Sequence, residues 1–164
     1  MNRAFALVRA LAYSSLFVAL LLVYLPARLL SPAGIARPAA MGAAQLLGLM
    51  LVTAGAAFTL WAVVSFALVG RGTPAPFDPP RRLVISGPYR WVRNPIYLGA
   101  GVAMAGASLY YGSWGLLVYD SVFLLATHVL VIGYEEPALG KEFGEEYQAY
   151  RARVRRWVPG IPRV

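Results

Sequence analysis

An all-α integral membrane bundle is the fold class this sequence predicts: about four transmembrane helices, a C-terminal helical hairpin and a cytoplasmic amphipathic tail helix. Three observations predict it. Only 13% of the 164 residues are charged and 59% are hydrophobic, whereas soluble domains carry about 25% charged residues. The mean hydropathy is +0.60, which makes a bilayer the fitting solvent. The apolar residues are also gathered into stretches of membrane-crossing length, separated by short segments rich in proline, glycine and arginine.

The first stretch runs from about Ala4 to Leu25 and is interrupted by Arg9. About 20 residues at 1.5 Å rise cover the roughly 30 Å core of a bilayer. A signal peptide is the competing account, since Arg3 precedes the apolar run. No small-x-small cleavage site stands near Pro26, so a spanning helix is expected. Pro32, Gly34 and Pro38 mark a loop over 29–40. The second stretch, about 41–69, is long enough to span with tilt. Gly42, Gly48 and Gly55 give it a small-residue face for close helix packing. A polar, proline-broken connector follows over 70–95.

The third stretch starts near Pro95, a residue suited to the first helical turn, and runs to about Tyr111. The fourth runs from about Trp114 to Tyr134. Only Gly112 and Ser113 separate them, which predicts a tight antiparallel hairpin. The third is short for a full span, and tilt accommodates that. From Glu135 the tail is charged and helical to about Arg153, and Pro159 and Pro162 end regular structure. The whole chain, 1–164, reads as one domain.

Charge sets the orientation. Positive residues number two at the N-terminus, two in the first loop, five in the second connector, none in the third loop and six in the tail. Four spans place the N-terminus, second connector and tail on one side, which the positive-inside rule makes cytoplasmic. The net charge of +8 would suggest nucleic acid in a soluble protein. Here the arginines sit beside apolar segments, so anionic lipid headgroups are the simpler partner and no nucleic acid is expected. With no cysteine and one histidine, thiolate and histidine-built metal sites are excluded, as are disulfides and cysteine nucleophiles.

Two polar clusters stand out. GPYRWVRNPIYLG occupies 87–99, before the hairpin. Tyr134, Glu135, Glu136 and Pro137, then Phe143, Gly144, Tyr147 and Tyr150, follow it. A tight hairpin brings its two ends together, so both clusters meet at the cytoplasmic membrane surface. Arginines there suit an anionic group, paired carboxylates a cationic one, and tyrosine faces a sulfonium or ammonium. A zwitterionic ligand with an extra cationic centre would suit the whole. The plainer account is interfacial anchoring by Tyr, Trp and Arg, with Glu135 and Glu136 complementing a helix dipole.

The string GPYRWVRNPIYLG, a hydrophobic hairpin, and then YEEPALGKEFGEEYQAYRARVRRWVP resembles the membrane methyltransferases that include isoprenylcysteine carboxyl methyltransferase and the phosphatidylethanolamine N-methyltransferases. The resemblance covers roughly 86–159, and the first two helices carry no signature of it. It implies S-adenosylmethionine as donor, S-adenosylhomocysteine as product, and an acceptor reaching the site from the bilayer. It further implies donor contacts from Arg93, Asn94, Pro95, Tyr97 and Gly99, with Tyr89 and Leu98 of the same string. Glu135 and Glu136 match its acidic pair, and Phe143, Gly144, Tyr147 and Tyr150 the tail pattern that closes over the donor. Many members have histidine where this chain has Asn94, which accepts no proton near neutral pH. The arginine that the isoprenylcysteine branch places shortly before the acidic pair is absent, because Ile132, Gly133 and Tyr134 stand there.

Arg93 and one glutamate are expected to hold the donor's charged ends, with Tyr97 lining the transfer site. A carboxylate acceptor needs no base. An ammonium must lose a proton, to Glu135, Glu136 or His128. Asp120 and His128 lie inside the fourth span, where ionisable groups are costly. His128 stands seven residues from Glu135, nearly on one face, and is a candidate to touch the acceptor or Glu135. An interhelical hydrogen bond is the plainer role for both. Gly99, Gly101 and Gly106 serve donor approach or helix packing, packing being favoured for Gly106. The run Arg151, Arg153, Arg155 and Arg156 reads as a lipid-facing surface. A small thiol or amine acceptor, or a scaffold or transporter-like bundle using Asp120 and His128, are the alternative functions. A bacterial or archaeal inner membrane is the expected location.

Overall fold

The computed structural model describes residues 8, 12, 13, 15–30, 38–70 and 81–160. Arg9, most of the first loop, the connector over 71–80 and Pro162 lie outside the described residues. All regular structure among the described residues is helical. The helices are α1, Ser15–Leu29, and α2, Ala43–Gly70. They are followed by α3, Pro95–Tyr111, α4, Trp114–Leu130, and α5, Glu136–Arg153.

Among the described residues, two helical stretches are long and apolar enough to cross a membrane: Ala43–Gly70 and Trp114–Arg153. The apolar helix Ser15–Leu29 and the 17-residue α3 are shorter. On α4, Val118, Val122, Leu125 and Val129 are 61%, 60%, 64% and 62% exposed. Their spacing of three and four places them on one helix face. In water such a stripe would be a liability, and in lipid it is surface matched to its solvent.

The closest packing joins α2 to α3. A Cβ on Gly48 would stand 2.7 Å from the Gly106 carbonyl oxygen, and one on Gly55 would stand 2.6 Å from the Gly99 oxygen. Two glycines seven residues apart on each helix therefore form two notches, and the backbones touch with nothing between them. Gly99 thus serves packing, as does Gly101, whose added Cβ would meet Leu124 Cδ2 at 2.8 Å.

The α3–α4 hairpin turns as expected. Gly112 takes φ 62° and ends α3, a left-handed conformation that glycine adopts without a Cβ clash. Ser113 caps α4, its Oγ accepting from the Leu116 N–H at 3.3 Å. Helix α1 packs on α4 through Phe17 and Phe123, whose rings are 6.3 Å apart. Tyr119 Oη donates to the Leu21 carbonyl at 2.7 Å.

Helix runs on from α4 into the tail without a break as far as Gly144. Over Val131–Glu135 the helix widens to i→i+5 bonding before α5 resumes. Pro137 explains the widening: it donates no N–H, and its ring crowds the carbonyl four residues earlier, on Gly133. Gly144 (φ 50°, ψ −122°) kinks α5. Beyond Arg153 the chain leaves the helix with Val154 extended, and 154–160 returns across the end of the hairpin as a strap.

Candidate active site

The segment before α3 is built as a platform. Gly87, at φ 60°, opens a single 3₁₀ turn, Gly87–Arg90. Its Cα faces Ser65 so closely that a Cβ would fall 2.6 Å from Ser65 Oγ. Tyr89 is buried against Phe66, with ring centroids 6.1 Å apart, and its carbonyl accepts from Tyr150 Oη at 2.7 Å. Tyr89 therefore ties α5 to α2, and its ring belongs to the core.

The strap is stitched to this platform. Arg93 N–H donates to the Arg155 carbonyl at 3.0 Å, and Gly160 N–H to the Trp91 carbonyl at 3.1 Å. Asn94 Nδ2 donates to the Arg156 carbonyl at 3.2 Å. Asn94 is also the residue that precedes the first turn of α3, but its side chain makes no cap. In this chain it holds the strap. Pro95, fully buried, begins the helix.

The charged groups converge where platform, hairpin end and strap meet. Glu136 is 8% exposed. Its Oε1 accepts from Arg156 Nε at 2.6 Å and its Oε2 from Arg156 Nη2 at 3.0 Å, a two-point grip. Arg93 Nη2 approaches the same Oε1 at 3.2 Å. Arg156, read from the sequence as part of a lipid-facing run, is a central member of this cluster. Its neighbours Arg151, Arg153 and Arg155 are exposed.

Glu135 faces elsewhere. Its Oε1 accepts from Tyr97 Oη, in the first turn of α3. The two adjacent carboxylates, just past the apolar part of the helix, sit in different fields. Burial would raise the Glu136 pKa, but the Arg156 hydrogen bonds and the charges of Arg93 and Arg156 outweigh it and hold the group below the usual carboxylate range. Burial raises the Glu135 pKa; the Tyr97 hydrogen bond opposes this and the Glu136 charge adds to it, leaving the group above its ordinary value.

The remaining expected residues are placed as follows. Tyr147 is 2% exposed and packs with Leu83, Tyr150 and Val154, with Leu139 and Phe143 against them. Leu98 closes the first turn of α3, its N–H donating to the Asn94 carbonyl at 3.1 Å. His128 does not meet Glu135: its Nδ1 accepts from Trp157 Nε1 at 2.9 Å. The wider turn over Val131–Glu135 shifts the helical phase between the two residues, so a count at 3.6 per turn misplaces them. Asp120 is 4% exposed, and its Oδ1 has no partner among the described residues. At eight residues' separation, about 12 Å of rise, it does not pair with His128.

Arg156 and Trp157 were missed in the sequence. Their partners are 20 and 29 residues away, and no periodicity signals a strap. The signal available was the unusual density of arginine and aromatic residues immediately before Pro159.

Chemically, the site offers a guanidinium with unspent donors and a carboxylate able to accept a proton. The Arg93 side chain is 10% exposed, and its Nε and Nη1 have no hydrogen-bond partner among the described residues. A buried guanidinium with two unspent donors suits a carboxylate.

Apolar helices with a lipid-matched face and a charged cluster at one hairpin end define a helical membrane protein. Residues 43–146 match the phospholipid methyltransferase family, and the chain belongs to that family. The match takes in α2, which carries no signature visible by eye, and ends before the strap. Protein-S-isoprenylcysteine O-methyltransferase of Schizosaccharomyces pombe is 32% identical over 80 residues, covering 49% of this chain and 34% of that protein. The chain thus matches about a third of that relative's length. No solved structure matches the chain.

Proposed function

We propose that the chain transfers a methyl group from S-adenosylmethionine to an acceptor held in or at the membrane, leaving S-adenosylhomocysteine. The observation that carries this reading is the meeting of Arg93 and Tyr97 with Glu136 and Glu135 at one end of the hairpin. Membership of the phospholipid methyltransferase family supports it. The donor fits the residues present. Its carboxylate suits the unspent Arg93 nitrogens, and the half-buried Tyr97 and Glu135 suit its cationic centre. Tyr89, Asn94, Pro95, Leu98, Gly99 and Tyr147 shape this site by building the platform, the α2–α3 contact and the α5 cover. When bound, the donor supplies a methyl already activated by its sulfonium, so the protein's part is to orient and to exclude water.

The same geometry divides the roles of the three candidate bases. Both Glu136 oxygens are held by Arg156, and His128 Nδ1 is held by Trp157. Glu135 has only Tyr97 on Oε1 among the described residues. It is therefore the residue to take a proton from an ammonium acceptor, which favours a phospholipid amine over a prenylcysteine-like carboxylate. Four spans, cytoplasmic termini and a bacterial or archaeal inner membrane complete the reading.

Calorimetry of S-adenosylmethionine and S-adenosylhomocysteine on the detergent-purified chain tests it, followed by transfer of labelled methyl to phosphatidylethanolamine and to a prenylcysteine. Micromolar donor binding is expected. A folded protein that binds neither nucleoside would refute the enzymatic reading and return attention to a scaffold or transporter. Label on the prenylcysteine alone would overturn the choice of acceptor.

A further inference from the structure

Glu136 and Arg93 are too close to be independent. A carboxylate 3.2 Å from a guanidinium, in a site shielded from water, draws that guanidinium into two-point pairing unless something else satisfies it. Here something else does. Arg156 spans both Glu136 oxygens at 2.6 and 3.0 Å, and Arg93 reaches Glu136 through Nη2 alone. Its Nε and Nη1 remain buried and unpartnered among the described residues. The backbone keeps this arrangement in register. Arg93 N–H is held by the Arg155 carbonyl, and the Arg156 carbonyl is held by Asn94 Nδ2. The residue that saturates Glu136 and the residue it liberates are thus tied to one strap.

We infer that Arg156 is a positioning residue: by occupying both oxygens of Glu136 it keeps two nitrogens of Arg93 free for the carboxylate of an amino-acid-bearing ligand. This rests on the methyl-donor reading above. Arg156 lies outside the family-matched residues 43–146. The electrostatics agree, since the Arg156 hydrogen bonds stand ahead of the Arg93 charge among the causes that hold the Glu136 pKa down.

The test compares two ligands on the full-length chain in detergent. S-adenosylhomocysteine carries the amino-acid end, and 5′-methylthioadenosine has the same nucleoside and thioether without it. Arg156→Gln should weaken S-adenosylhomocysteine roughly tenfold or more, the scale of a lost charge-assisted hydrogen bond, and leave methylthioadenosine within about twofold. Arg156→Lys keeps the charge without the two-point fork, and should fall between wild type and Gln on the first ligand only. If the Gln variant does not fold, the ratio of the two affinities in the Lys variant decides. Equal losses on both ligands would mean that Arg156 merely holds the strap in place, and unchanged affinity for both would mean that it does nothing for Arg93; either overturns the assignment. Wild-type protein that binds neither ligand removes the donor reading itself, and this assignment with it.

Discussion

Adding one methyl group at Gly55 should disturb the site on α3 from across a helix interface. An ideal Cβ at Gly55 would stand 2.5 Å from the Ala103 nitrogen and 2.6 Å from the Gly99 oxygen. Both are backbone atoms, so no side chain can swing aside. Restoring ordinary contact at 3.4 Å means opening the α2–α3 interface by about 0.9 Å at that level. Overpacking of this kind costs about 1–3 kcal/mol, and for a chain of this size each kcal/mol lowers the unfolding midpoint by about 2–4 °C. Gly99 lies two residues beyond Tyr97, so the displacement also reaches the Tyr97–Glu135 contact. Misplacement by about 1 Å can reduce a rate about a hundredfold. Gly48→Ala is the internal control. Its Cβ meets the Gly106 oxygen and Tyr110 nitrogen, both at 2.7 Å, at the hairpin-turn end of α3, away from the site. Thermal unfolding in detergent should fall by several degrees in both variants. Methyl transfer at a temperature where both are folded should fall much further in Gly55→Ala. Equal midpoints for Gly55→Ala and wild type would refute the packing argument, and equal transfer rates for the two variants would refute its extension to the site.

Other perturbations separate the two glutamates and test the strap. Glu135→Gln should retain S-adenosylhomocysteine binding within a few-fold while abolishing transfer to an amine acceptor, and loss of binding in calorimetry would move Glu135 to the donor side. Tyr97→Phe removes the Glu135 hydrogen bond and should shift the acid limb of the rate–pH profile rather than eliminate the activity. Transfer by wild type should decline as pH falls through the raised Glu135 pKa, because the group must be ionised to accept a proton. Glu136 runs the other way in stability. Its folded pKa is depressed, so its contribution is complete above the unfolded value and lost as pH falls through the folded one. The unfolding midpoint should therefore drop on acidification, and Glu136→Gln should flatten that slope. Trp157→Phe deletes the donor to His128 Nδ1, at a cost of about 1 kcal/mol, and should speed hydrogen exchange at the backbone amides of 154–160 without altering that of α2.

Local chemistry made the hairpin legible. Pro95 at a helix start, Gly112 at a helix end and Ser113 at the next cap each act within a few residues, and α3 begins and ends where they dictate. The small-residue face of α2 was legible for the same reason, since a seven-residue glycine spacing is two turns of one face. Its partner, the matching spacing of Gly99 and Gly106, became meaningful only once the two helices were seen in contact. The tail was read as a helix separate from the fourth span, whereas helix runs on from α4 past Pro137 as far as the kink at Gly144. A proline usually marks a boundary, but here glycine at the i−4 position lets the helix widen around Pro137. The strap was illegible in principle. Its bonds join 91–94 to 155–160, and pairs some 60 residues apart leave no trace in local pattern.

The widened turn is also what makes the acidic pair useful. Consecutive residues on a regular helix already point about 100° apart, but both would stay on the side set by the stripe of α4 that precedes them. Relaxing the turn over Val131–Glu135 changes the phase just before the pair. Glu135 then reaches α3 through Tyr97, and Glu136 reaches the strap through Arg156. One carboxylate becomes a fixed anion between two guanidiniums, and its neighbour remains a group whose protonation can change. Two adjacent identical residues acquire opposite pKa shifts. The difference arises from their partners, burial outweighing the Tyr97 hydrogen bond at Glu135 and the arginines outweighing burial at Glu136. In this chain the paired glutamates before Pro137 are thus set against separate partners, one on α3 and one on the strap.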